Sequence, residues 1–387
     1  MTGRGGRQRL RVAVVTGSYN FIADGVALTL NRLVAYLERA GVEVLVVAPV
    51  GRSPAFQHHG ELAPAPSAPL PFRPEYRLTL GLTPALRRRL EAFDPDIVHI
   101  ATPDLLGRQA QAFAQARGRP AVASYHTRYE TYLKDYGLGF LEDLLGAYIR
   151  RFYAACDEVY VPSASMIASL KADGFADNIH LWGRGVDTER FNPARRNTAF
   201  RARLRADDDM PVVAFVGRLV REKRLDTMIQ TAERLADVPH RLLIVGEGPD
   251  RPMLERALPE AIFTGYLSGD ELAVAYASSD IFLFPSDTET FGSVTLEAMA
   301  SALPAVCADA TGSRSLVDQD VTGYLVPPGD SDAFAARVRV LASQPELRGR
   351  MGAAARERSL TFAWEADMAG LLARYEALAA GARRAVA

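Results

Sequence analysis

Cysteine is scarce in this sequence, and neither sign of charge is in excess. Only Cys156 and Cys307 occur among 387 residues. Because two thiols in so long a chain cannot form a disulfide framework, the composition fits a reducing compartment and predicts a cytoplasmic protein. The 45 basic and 46 acidic residues give a net charge of −1. This balance argues against a general nucleic-acid binder, since such proteins need a dense basic surface.

Long apolar runs and metal-ligand clusters are also missing from the sequence. No apolar run approaches the roughly 20 residues that span a bilayer, and no signal-type apolar core follows the arginine-containing start, Met1–Arg11. We therefore predict a protein that neither spans a membrane nor is exported. Histidine, cysteine and aspartate show no metal-ligand spacing, and Asp207–Asp209 is interpreted as a solvated acidic run. No essential metal is predicted.

What the sequence does contain is an alternation of strands and helices. A chain of 387 residues exceeds the usual single-domain length of about 100–200 residues, so two domains are expected. Short apolar runs that alternate with helical patterns predict parallel sheets covered on both faces. The first predicted elements are strands at 10–16, 42–48, 97–100, 121–125 and 158–161 and helices at 24–40, 83–93 and 139–155.

The pattern restarts after Phe191-Asn192-Pro193, and this restart predicts a first domain of residues 1–190 and a second that begins at residue 191. The strands predicted for the second domain lie at 212–216, 241–245, 281–285 and 303–307. Between Pro54 and Pro74 six prolines occur, so this segment is predicted to be irregular, either a passive surface loop or part of the mouth of a site. Functional residues are expected in the loops that leave the carboxyl ends of the strands.

Two glutamates with seven residues between them are the first candidates for a binding site. Glu289 lies in a predicted loop and would face a sugar, whereas Glu297 lies in the following helix and could accept hydrogen bonds from a ribose diol. The backbone N–H groups of Phe291, Gly292 and Ser293, at the start of that helix, favour diphosphate oxygens. The same spacing is equally compatible with one exposed loop glutamate and one surface helix glutamate.

Two cations follow another predicted strand. Arg218 and Lys223 lie in a strand-to-helix turn, where an arginine can bind two oxygens at once and a lysine supplies a point charge to a departing diphosphate. A solvated charge run is the alternative interpretation. Gly25, at the start of the first helix, would let a phosphate approach the backbone or would simply cap the helix. His126 directly follows the strand at 121–125, at the edge where ligands are expected.

In this order and spacing, these residues resemble family 4 of the retaining glycosyltransferases, which have the GT-B architecture. The resemblance covers nearly the whole chain. It is carried by Gly25, Tyr125-His126-Thr127, Gly185-Val186-Asp187, Phe191-Asn192-Pro193, Gly217-Arg218, Glu222-Lys223, Gly265-Tyr266, Pro285-Ser286, Glu289-Thr290-Phe291-Gly292, Glu297 and Phe362-Ala363-Trp364. It implies an α/β fold of two facing Rossmann-like domains with parallel sheets, and a last helix at about 364–387 that crosses back to the first domain.

The resemblance also implies an activity: transfer of a hexose from a UDP- or GDP-linked donor to a hydroxyl acceptor with retention of configuration, without a cofactor. The implied site residues are His126, Arg218, Lys223 and Glu289 at the reaction centre and Gly25, Tyr266, Phe291, Gly292, Ser293 and Glu297 around the donor. Arg218 and Lys223 would bind the diphosphate, Glu289 the sugar and Glu297 the ribose. His126 would contact the sugar near its 6-position, Gly25 would approach the diphosphate, and Tyr266 would flank the base.

The stretches 125–129 and 180–187 are similar to those of bacterial lipid mannosyltransferases, glucuronosyltransferases and sulfoquinovosyltransferases. At Thr311–Ser315 the sequence departs from the family, many members of which carry paired glycines, and the identity of the sugar stays open. A mixture of cations and aromatic side chains just after His126 suits a lipid or saccharide acceptor near an interface. The implied acceptor residues are Arg128, Tyr129, Tyr132 and Lys134.

An apolar stripe beside three arginines suggests a contact with anionic lipid. Leu82, Leu86, Leu90 and Phe93 recur at helical spacing next to the arginines at 87–89, so this helix is predicted either to rest on a membrane or to be an ordinary amphipathic surface helix. Two further interpretations of the whole chain stay open. One is a sugar-nucleotide epimerase of the same architecture, and the other is a non-catalytic scaffold that has kept the fold.

Overall fold

Two parallel sheets organise the chain. The computed structural model describes residues 9–22, 24–70, 73–129, 139–207 and 209–386. Up to residue 181 the strands are β1 (Arg11–Val15), β2 (Glu43–Pro49), β3 (Glu61–Ala65), β4 (Ser67–Leu70), β5 (Arg73–Thr79), β6 (Ile97–Ile100), β7 (Ala121–Ser124), β8 (Glu158–Val161) and β9 (Ile179–Leu181), and the helices are α1 (Gly25–Arg39), α2 (Pro84–Phe93), α3 (Leu105–Ala116), α4 (Glu142–Ala154) and α5 (Ala164–Ala172).

The later part of the chain repeats this alternation. From residue 193 the strands are β10 (Val212–Val216), β11 (Arg241–Val245), β12 (Ile262–Gly265), β13 (Ile281–Phe284), β14 (Ala305–Ala308) and β15 (Gly323–Val326), and the helices are α6 (Thr198–Arg203), α7 (Leu225–Arg234), α8 (Arg251–Ala257), α9 (Gly269–Ala277), α10 (Ser293–Ala300), α11 (Thr311–Arg314), α12 (Ser331–Ser343), α13 (Pro345–Ser359) and α14 (Trp364–Val386). Short 3₁₀ turns lie at Gly139–Leu141, Pro193–Arg195 and Arg221–Lys223.

The first sheet has seven strands in the order β3-β2-β1-β6-β7-β8-β9, and its neighbouring strands pair in parallel. Its central strands are continuous apolar runs, of which Val12–Val15 in β1 is fully buried. A parallel sheet needs such runs because helices cover both of its faces. The helices begin at polar N-caps: the carboxylates of Asp24 and Asp104 accept hydrogen bonds from the first turns of α1 and α3.

The second sheet has six parallel strands in the order β12-β11-β10-β13-β14-β15. In both sheets the strand order reverses next to the first strand, between β1 and β6 and between β10 and β13. Ligands of such folds bind outside the carboxyl ends of the strands at this switch point. The switch points, rather than the sheet edges, are therefore where the site residues should be sought.

The last helix returns to the first half of the chain. Met368, Leu371 and Tyr375 of α14 share a buried cluster with Val14 of β1 and with residues of α1. At the start of α14 the contact with the loop after β9 is so close that a Cβ on Gly185 would lie 2.3 Å from the backbone nitrogen of Trp364. A glycine is therefore required where the chain crosses back.

Our prediction of an irregular proline-rich segment was wrong. β3 adds a parallel edge strand beside β2, and β4 pairs with β5 as an antiparallel hairpin. Proline is tolerated in these places because an edge strand or a two-stranded hairpin leaves one side of its backbone without ladder hydrogen bonds. Pro64 lies within β3 and Pro69 within β4. The pattern of the sequence therefore failed to indicate the strands β3, β4 and β5.

The apolar stripe at residues 82–93, which one interpretation placed on a lipid surface, packs inside the first half of the chain. Leu86 and Leu90 of α2 are buried, and Leu82 and Phe93 pack against the same core cluster of the first half. On the outer side of α2, Arg87 pairs with Glu91, with 3.4 Å between Nε and Oε1. The second interpretation, an ordinary amphipathic surface helix, is the correct one, because the sheet covers the apolar face.

Candidate functional site

The loops at the switch point of the second sheet carry the predicted cations and one of the predicted glutamates. Gly217 and Arg218 directly follow β10, and Lys223 ends the 3₁₀ turn Arg221–Lys223. Glu289 lies in the loop between β13 and α10. Because β10 and β13 are neighbours in the sheet, their carboxyl ends open onto the same place. Residues about 70 positions apart in sequence are thereby brought together.

Lys223 and Glu289 are in direct contact. The ammonium group of Lys223 forms an ion pair with Oε1 of Glu289, and both side chains are 19% exposed. The hydroxyl of Ser286 donates a second hydrogen bond to the same carboxylate, at 3.3 Å. A half-buried acid thus lies beside a half-buried cation, and each lowers the cost of burying the other.

Arg218 points from the second sheet toward the first half of the chain. Its guanidinium hydrogen-bonds with the hydroxyl of Tyr76 in β5, and the centre of the group lies 5.1 Å from the ring centroid. Its charge also acts on Asp24, the N-cap of α1. Burial nevertheless raises the pKa of Asp24. Arg218 therefore connects the turn after β10 with the hairpin and with the start of α1.

Two residues of α11 hold the backbone of Glu289 in place. The amide of Gly312 and the hydroxyl of Thr311 donate to the carbonyl of Glu289, at 3.0 and 3.2 Å. A Cβ on Gly312 would lie 2.8 Å from the Cβ of Glu289. The glycine at this position lets α11 approach the glutamate.

The start of α10 offers backbone donors beside Glu289. Gly292 is the N-cap, with φ +93°, a conformation that glycine adopts without strain. Since this cap has no side chain, no capping oxygen competes for the first amides of the helix. The Phe291 side chain is only 4% exposed and Ser293 is exposed. Phe291 therefore packs in the core of the second half, and Ser293 reaches the surface.

Glu297 lies in the second turn of α10, next to a buried tyrosine. The hydroxyl of Tyr276 donates to Oε2 of Glu297, at 3.2 Å. Burial raises the pKa of Glu297 to about 7, although the Tyr276 hydrogen bond and the charges of Arg32 and Arg190 lower it. The carboxyl group is thus poised to change charge near neutral pH.

Gly25 occupies the first position of α1 after its N-cap, Asp24. The Asp24 carboxylate accepts from the amide of Ala27 at 2.8 Å, so the aspartate and not the glycine caps the helix. No atom lies within 4 Å of the place where a Cβ of Gly25 would stand. The space beside this glycine is therefore open.

His126 is buried, and both nitrogens of its ring have partners inside the protein. Nε2 lies 2.7 Å from the hydroxyl of Ser124, and Nδ1 lies 2.7 Å from a guanidinium nitrogen of Arg184. Burial and the charge of Arg184 hold the pKa of His126 well below its usual value, so the ring is neutral. A hydrogen bond from a ring nitrogen to a sugar would require one of these two contacts to break.

Contacts between the halves of the chain converge on Thr290. Its hydroxyl donates to the backbone oxygen of His126 at 2.8 Å, and its own backbone oxygen accepts from the hydroxyl of Ser163 at 3.1 Å. His126 and Ser163 follow β7 and β8 of the first sheet. The loop that carries Glu289 therefore touches the carboxyl edge of the first sheet, and the site lies between the two sheets.

The remaining predicted residues are more scattered. Tyr266 is 57% exposed in the loop after β12. Arg128 pairs with Asp173, with 2.6 Å between Nη2 and Oδ2, and Tyr129 packs against the core of the first half. Two of the implied acceptor residues, Tyr132 and Lys134, lie outside the described residues.

Four residues that our reading of the sequence did not single out contact the site. They are Tyr76 against Arg218, Tyr276 against Glu297, Gly312 against Glu289, and Arg184 against His126. Arg184 lies in the stretch 180–187, whose likeness to lipid glycosyltransferases was a signal. Gly312 lies in the stretch 311–315, which was noted only for its departure from the family. Tyr76 and Tyr276 come from segments with no motif, since their role depends on distant chain segments meeting in the fold.

The described part of the chain lacks two features that would have suggested other functions. In the ranges given above, no group of three or more His, Cys, Asp or Glu side chains is placed to hold a metal ion. In those same ranges, no helix combines the length and apolarity needed to cross a bilayer.

Family models match both halves of the chain. The model described as "Glycosyltransferase Family 4" matches residues 23–190, and the model described as "Glycosyl transferases group 1" matches residues 196–358. The predicted family resemblance is confirmed.

Curated proteins of several sugar specificities are similar to the chain. It is 37% identical over 374 residues to a GDP-mannose-dependent alpha-mannosyltransferase of Mycobacterium tuberculosis (strain CDC 1551 / Oshkosh), covering 95% of this chain and 97% of that protein. It is 36% identical over 344 residues to the sulfoquinovosyl transferase SQD2 of Arabidopsis thaliana, covering 87% and 67%. It is 25% identical over 321 residues to an alpha-monoglucosyldiacylglycerol synthase of Acholeplasma laidlawii, covering 77% and 80%.

Solved structures match the fold over nearly the whole chain. A sucrose-phosphate synthase from Thermosynechococcus elongatus superposes with a TM-score of 0.83 at 23% identity, covering 96% of this chain and 100% of that structure. At this identity the likeness shows the fold alone. The predicted architecture of two Rossmann-like domains with parallel sheets is confirmed.

Proposed function

Since the chain belongs to the glycosyltransferases of group 1 and family 4, which act on nucleotide sugars, we propose that it transfers a hexose from a UDP- or GDP-linked donor to a hydroxyl acceptor with retention of anomeric configuration. The observation that carries this proposal is the contact of Lys223 with Glu289 at the switch point of the second sheet. An acid that can hold sugar hydroxyls and a cation that can hold a diphosphate meet where such folds bind ligands.

The donor would lie across the loops after β10 and β13. Arg218 and Lys223 bind the diphosphate, aided by the first amides of α10, including that of Ser293. Glu289, with the amides of Phe291 and Gly292, holds the sugar hydroxyls. The ribose diol binds Glu297, Tyr266 flanks the base, and Gly25 approaches the diphosphate from the first half.

The reaction we propose proceeds through an ion pair on one face of the sugar. The bond between the anomeric carbon and the diphosphate oxygen breaks, the acceptor oxygen bonds to the same carbon from the same side, and the departing phosphate oxygen takes the acceptor proton. Arg218 and Lys223 stabilise the negative charge that grows on the diphosphate as its bond breaks. Because these two cations balance the charge, we propose that the enzyme needs neither a metal nor a cofactor.

The acceptor is assigned to the first half of the chain. We propose that residues 1–190, together with the last helix at 364–387, form the acceptor domain and that residues 191–363 form the donor domain. Packing of α14 on β1 and α1 supports this division. In this proposal His126, Arg128 and Tyr129 belong to the acceptor side, with His126 near the sugar, and the resemblance adds Tyr132 and Lys134 to the acceptor residues.

We propose that the acceptor is a membrane lipid and that the protein acts at the cytoplasmic face of a membrane. The name of the Acholeplasma relative, a glucosyldiacylglycerol synthase, supports a lipid acceptor. An exposed apolar stripe supports contact with the lipid surface. Phe140 lies in the 3₁₀ turn before α4, and Leu144 and Tyr148 follow it at intervals of four residues within α4. The three residues are 78%, 70% and 38% exposed. The Tyr148 hydroxyl donates to the backbone oxygen of Pro103 at 2.8 Å, which places the stripe at the carboxyl edge of the first sheet.

Replacing the apolar stripe should weaken membrane binding. We expect the wild-type protein to sediment with anionic liposomes at low salt, and the variant Phe140→Ser/Leu144→Ser to bind at least about tenfold less, because two exposed apolar side chains no longer enter the interface. A matched control is Val321→Ser/Leu360→Ser, which changes two side chains of the second half that are 56% and 45% exposed. Wild-type protein that stays in the supernatant, or equal losses in both variants, would contradict the proposal.

One product analysis tests the proposed reaction. The purified protein is incubated with a panel of nucleotide sugars and a membrane lipid extract, and products are identified by mass spectrometry, with the anomeric configuration determined by NMR. We expect one donor to yield a glycolipid of unchanged anomeric configuration. Each donor is also incubated alone, since an epimerase would convert it without an acceptor. Absence of any nucleotide-sugar binding in calorimetry would instead indicate a scaffold.

A further inference from the structure

Arg184 is a buried cation behind the proposed site. Its side chain leaves the loop that follows β9, and the residue is only 6% exposed. Among the described residues Arg184 forms no ion pair with a carboxylate, although the charge of Asp367 acts on it. Burial lowers the pKa of Arg184 to about 10, so the guanidinium still carries its charge at neutral pH. A buried charge without a close counter-ion is costly and calls for a function.

The guanidinium of Arg184 touches two elements that the proposed function places at the donor. One terminal nitrogen, Nη2, lies 2.7 Å from Nδ1 of His126, and the other donates to the hydroxyl of Thr29 in α1. That hydroxyl in turn donates to the backbone oxygen of Gly25 at 2.7 Å. A single side chain therefore joins Thr29 of α1 to His126, the second residue after β7.

Arginine can only donate hydrogen bonds. Its contact with His126 therefore determines which partner donates in each of the hydrogen bonds that follow. Nδ1 of His126 must accept from Arg184, so the ring proton is on Nε2 and is donated to the Ser124 hydroxyl at 2.7 Å. Ser124 can then donate its own proton to Nε2 of His99, at 2.8 Å. The remaining proton of His99, on Nδ1, faces the hydroxyl of Tyr375 in α14.

The protonation states agree with this direction. Burial lowers the pKa of His99 to about 3, and burial together with Arg184 holds that of His126 well below its usual value. Both rings are therefore neutral, and each has one nitrogen that donates and one that accepts. The hydrogen bonds form a continuous series from the start of α1 to the last helix, and the donor of each one is defined.

The backbone oxygen of His126 accepts a hydrogen bond from the hydroxyl of Thr290 at 2.8 Å. Thr290 is the neighbour of Glu289 in the loop after β13. An anchored His126 ring therefore fixes the position of a backbone acceptor that holds the Glu289 loop.

We propose that Arg184 is a positioning residue: it fixes His126 as the neutral tautomer with its proton on Nε2, and through the backbone oxygen of His126 it holds Thr290 and the adjoining Glu289 in place. This inference rests on the proposed function only for its effect on catalysis. The tautomer of His126 follows from the contacts of Arg184 alone and can be measured without any substrate.

The test measures the ring nitrogens of His126 by ¹⁵N NMR in the full-length protein, with the signals assigned by their loss in His126→Gln. We expect the wild-type ring to be neutral, with Nε2 protonated and Nδ1 not. In Arg184→Met, which removes the donor to Nδ1, we expect this single tautomer to be lost. In Ser124→Ala it should persist, because Arg184 still donates to Nδ1. Arg356→Met, which removes a partly buried arginine bonded to backbone oxygens, should leave it unchanged.

The wild-type spectrum alone can overturn the proposal: a His126 ring that is charged, or protonated on Nδ1, contradicts it even if Arg184→Met does not fold. In activity assays we expect Arg184→Met to lower kcat by up to about 10²-fold, with a smaller change in the donor KM, since misplacing a contact residue costs rate. Arg184→Lys should recover part of the loss because it keeps the donor. Wild-type kcat in Arg184→Met would overturn the positioning role. A wild-type protein that transfers no sugar would contradict the proposed function and leave the tautomer result standing.

Discussion

Replacing Lys223 by alanine is expected to lower the turnover number for sugar transfer by about 10²–10³, the loss typical of a removed group that stabilises charge in a transition state. The lysine would contribute most as the diphosphate leaves, so kcat should fall more than donor affinity. The measurement is steady-state kinetics with the donor identified by product analysis. Arg218→Ala should show a loss of the same order, since it is the second proposed ligand of the diphosphate.

Two further variants separate a catalytic effect from a structural one. Arg221→Ala removes an exposed cation from the same turn and should keep activity close to that of the wild type. Lys223→Ala leaves the Glu289 carboxylate without its ion-pair partner. The double variant Lys223→Ala/Glu289→Gln removes that unpaired charge, and we expect it to fold well but to stay inactive. Activity of Lys223→Ala within twofold of the wild type would end the assignment.

Replacing Glu297 by glutamine should raise the KM for the donor by about tenfold or more while kcat changes less. The carboxylate is proposed to accept two hydrogen bonds from the ribose, and hydrogen bonds to a charged acceptor contribute about 1.5–3 kcal/mol each. The ribose lies far from the breaking bond, so the loss should appear as binding. Tyr276→Phe, which removes the hydrogen bonds of the hydroxyl to Glu297 and to the backbone oxygen of Val294, is the milder companion variant. An unchanged donor KM in Glu297→Gln would contradict the ribose assignment.

The same carboxyl group should make donor use depend on pH. Burial raises the pKa of Glu297 to about 7, so the group is ionised above this value and becomes protonated as the pH falls through it. The ionised form accepts hydrogen bonds on both oxygens, whereas protonation turns one of them into a hydrogen-bond donor. The value of kcat/KM for the sugar donor reports the free enzyme. We therefore expect kcat/KM to decrease from about pH 8 to about pH 6, and this decrease to vanish in Glu297→Gln. A parallel decrease in the variant would assign the pH dependence to another group.

Much of the fold could be predicted because apolar runs and helix caps are local signals. The predicted strands at 97–100 and 158–161 have the same bounds in the structure, and α1 lies within its predicted range. The errors have a physical cause as well. β3 and β9 are edge strands of five and three residues that are stabilised by pairing with β2 and β8, and runs this short give no clear periodic signal.

The candidate site was predictable only as a set of separate motifs. Arg218, Lys223 and Glu289 stood out because each follows a predicted strand, and the structure brings Lys223 and Glu289 into contact. Their partners did not stand out. Tyr76 follows the segment 54–74 and belongs to no predicted element, and Gly312 is in a stretch noted only for its departure from the family pattern.

What the sequence determined by itself was the family, the α/β alternation and the chemical groups available for binding a sugar diphosphate, since each of these depends on residue type and spacing along the chain. The tertiary structure decided which groups meet. The reversal of strand order between β10 and β13 joins Lys223 to Glu289, and the return of α14 extends a line of hydrogen bonds from Arg184 and His126 to Tyr375. Such contacts depend on the packing of segments far apart in sequence, and no local pattern of residues encodes them.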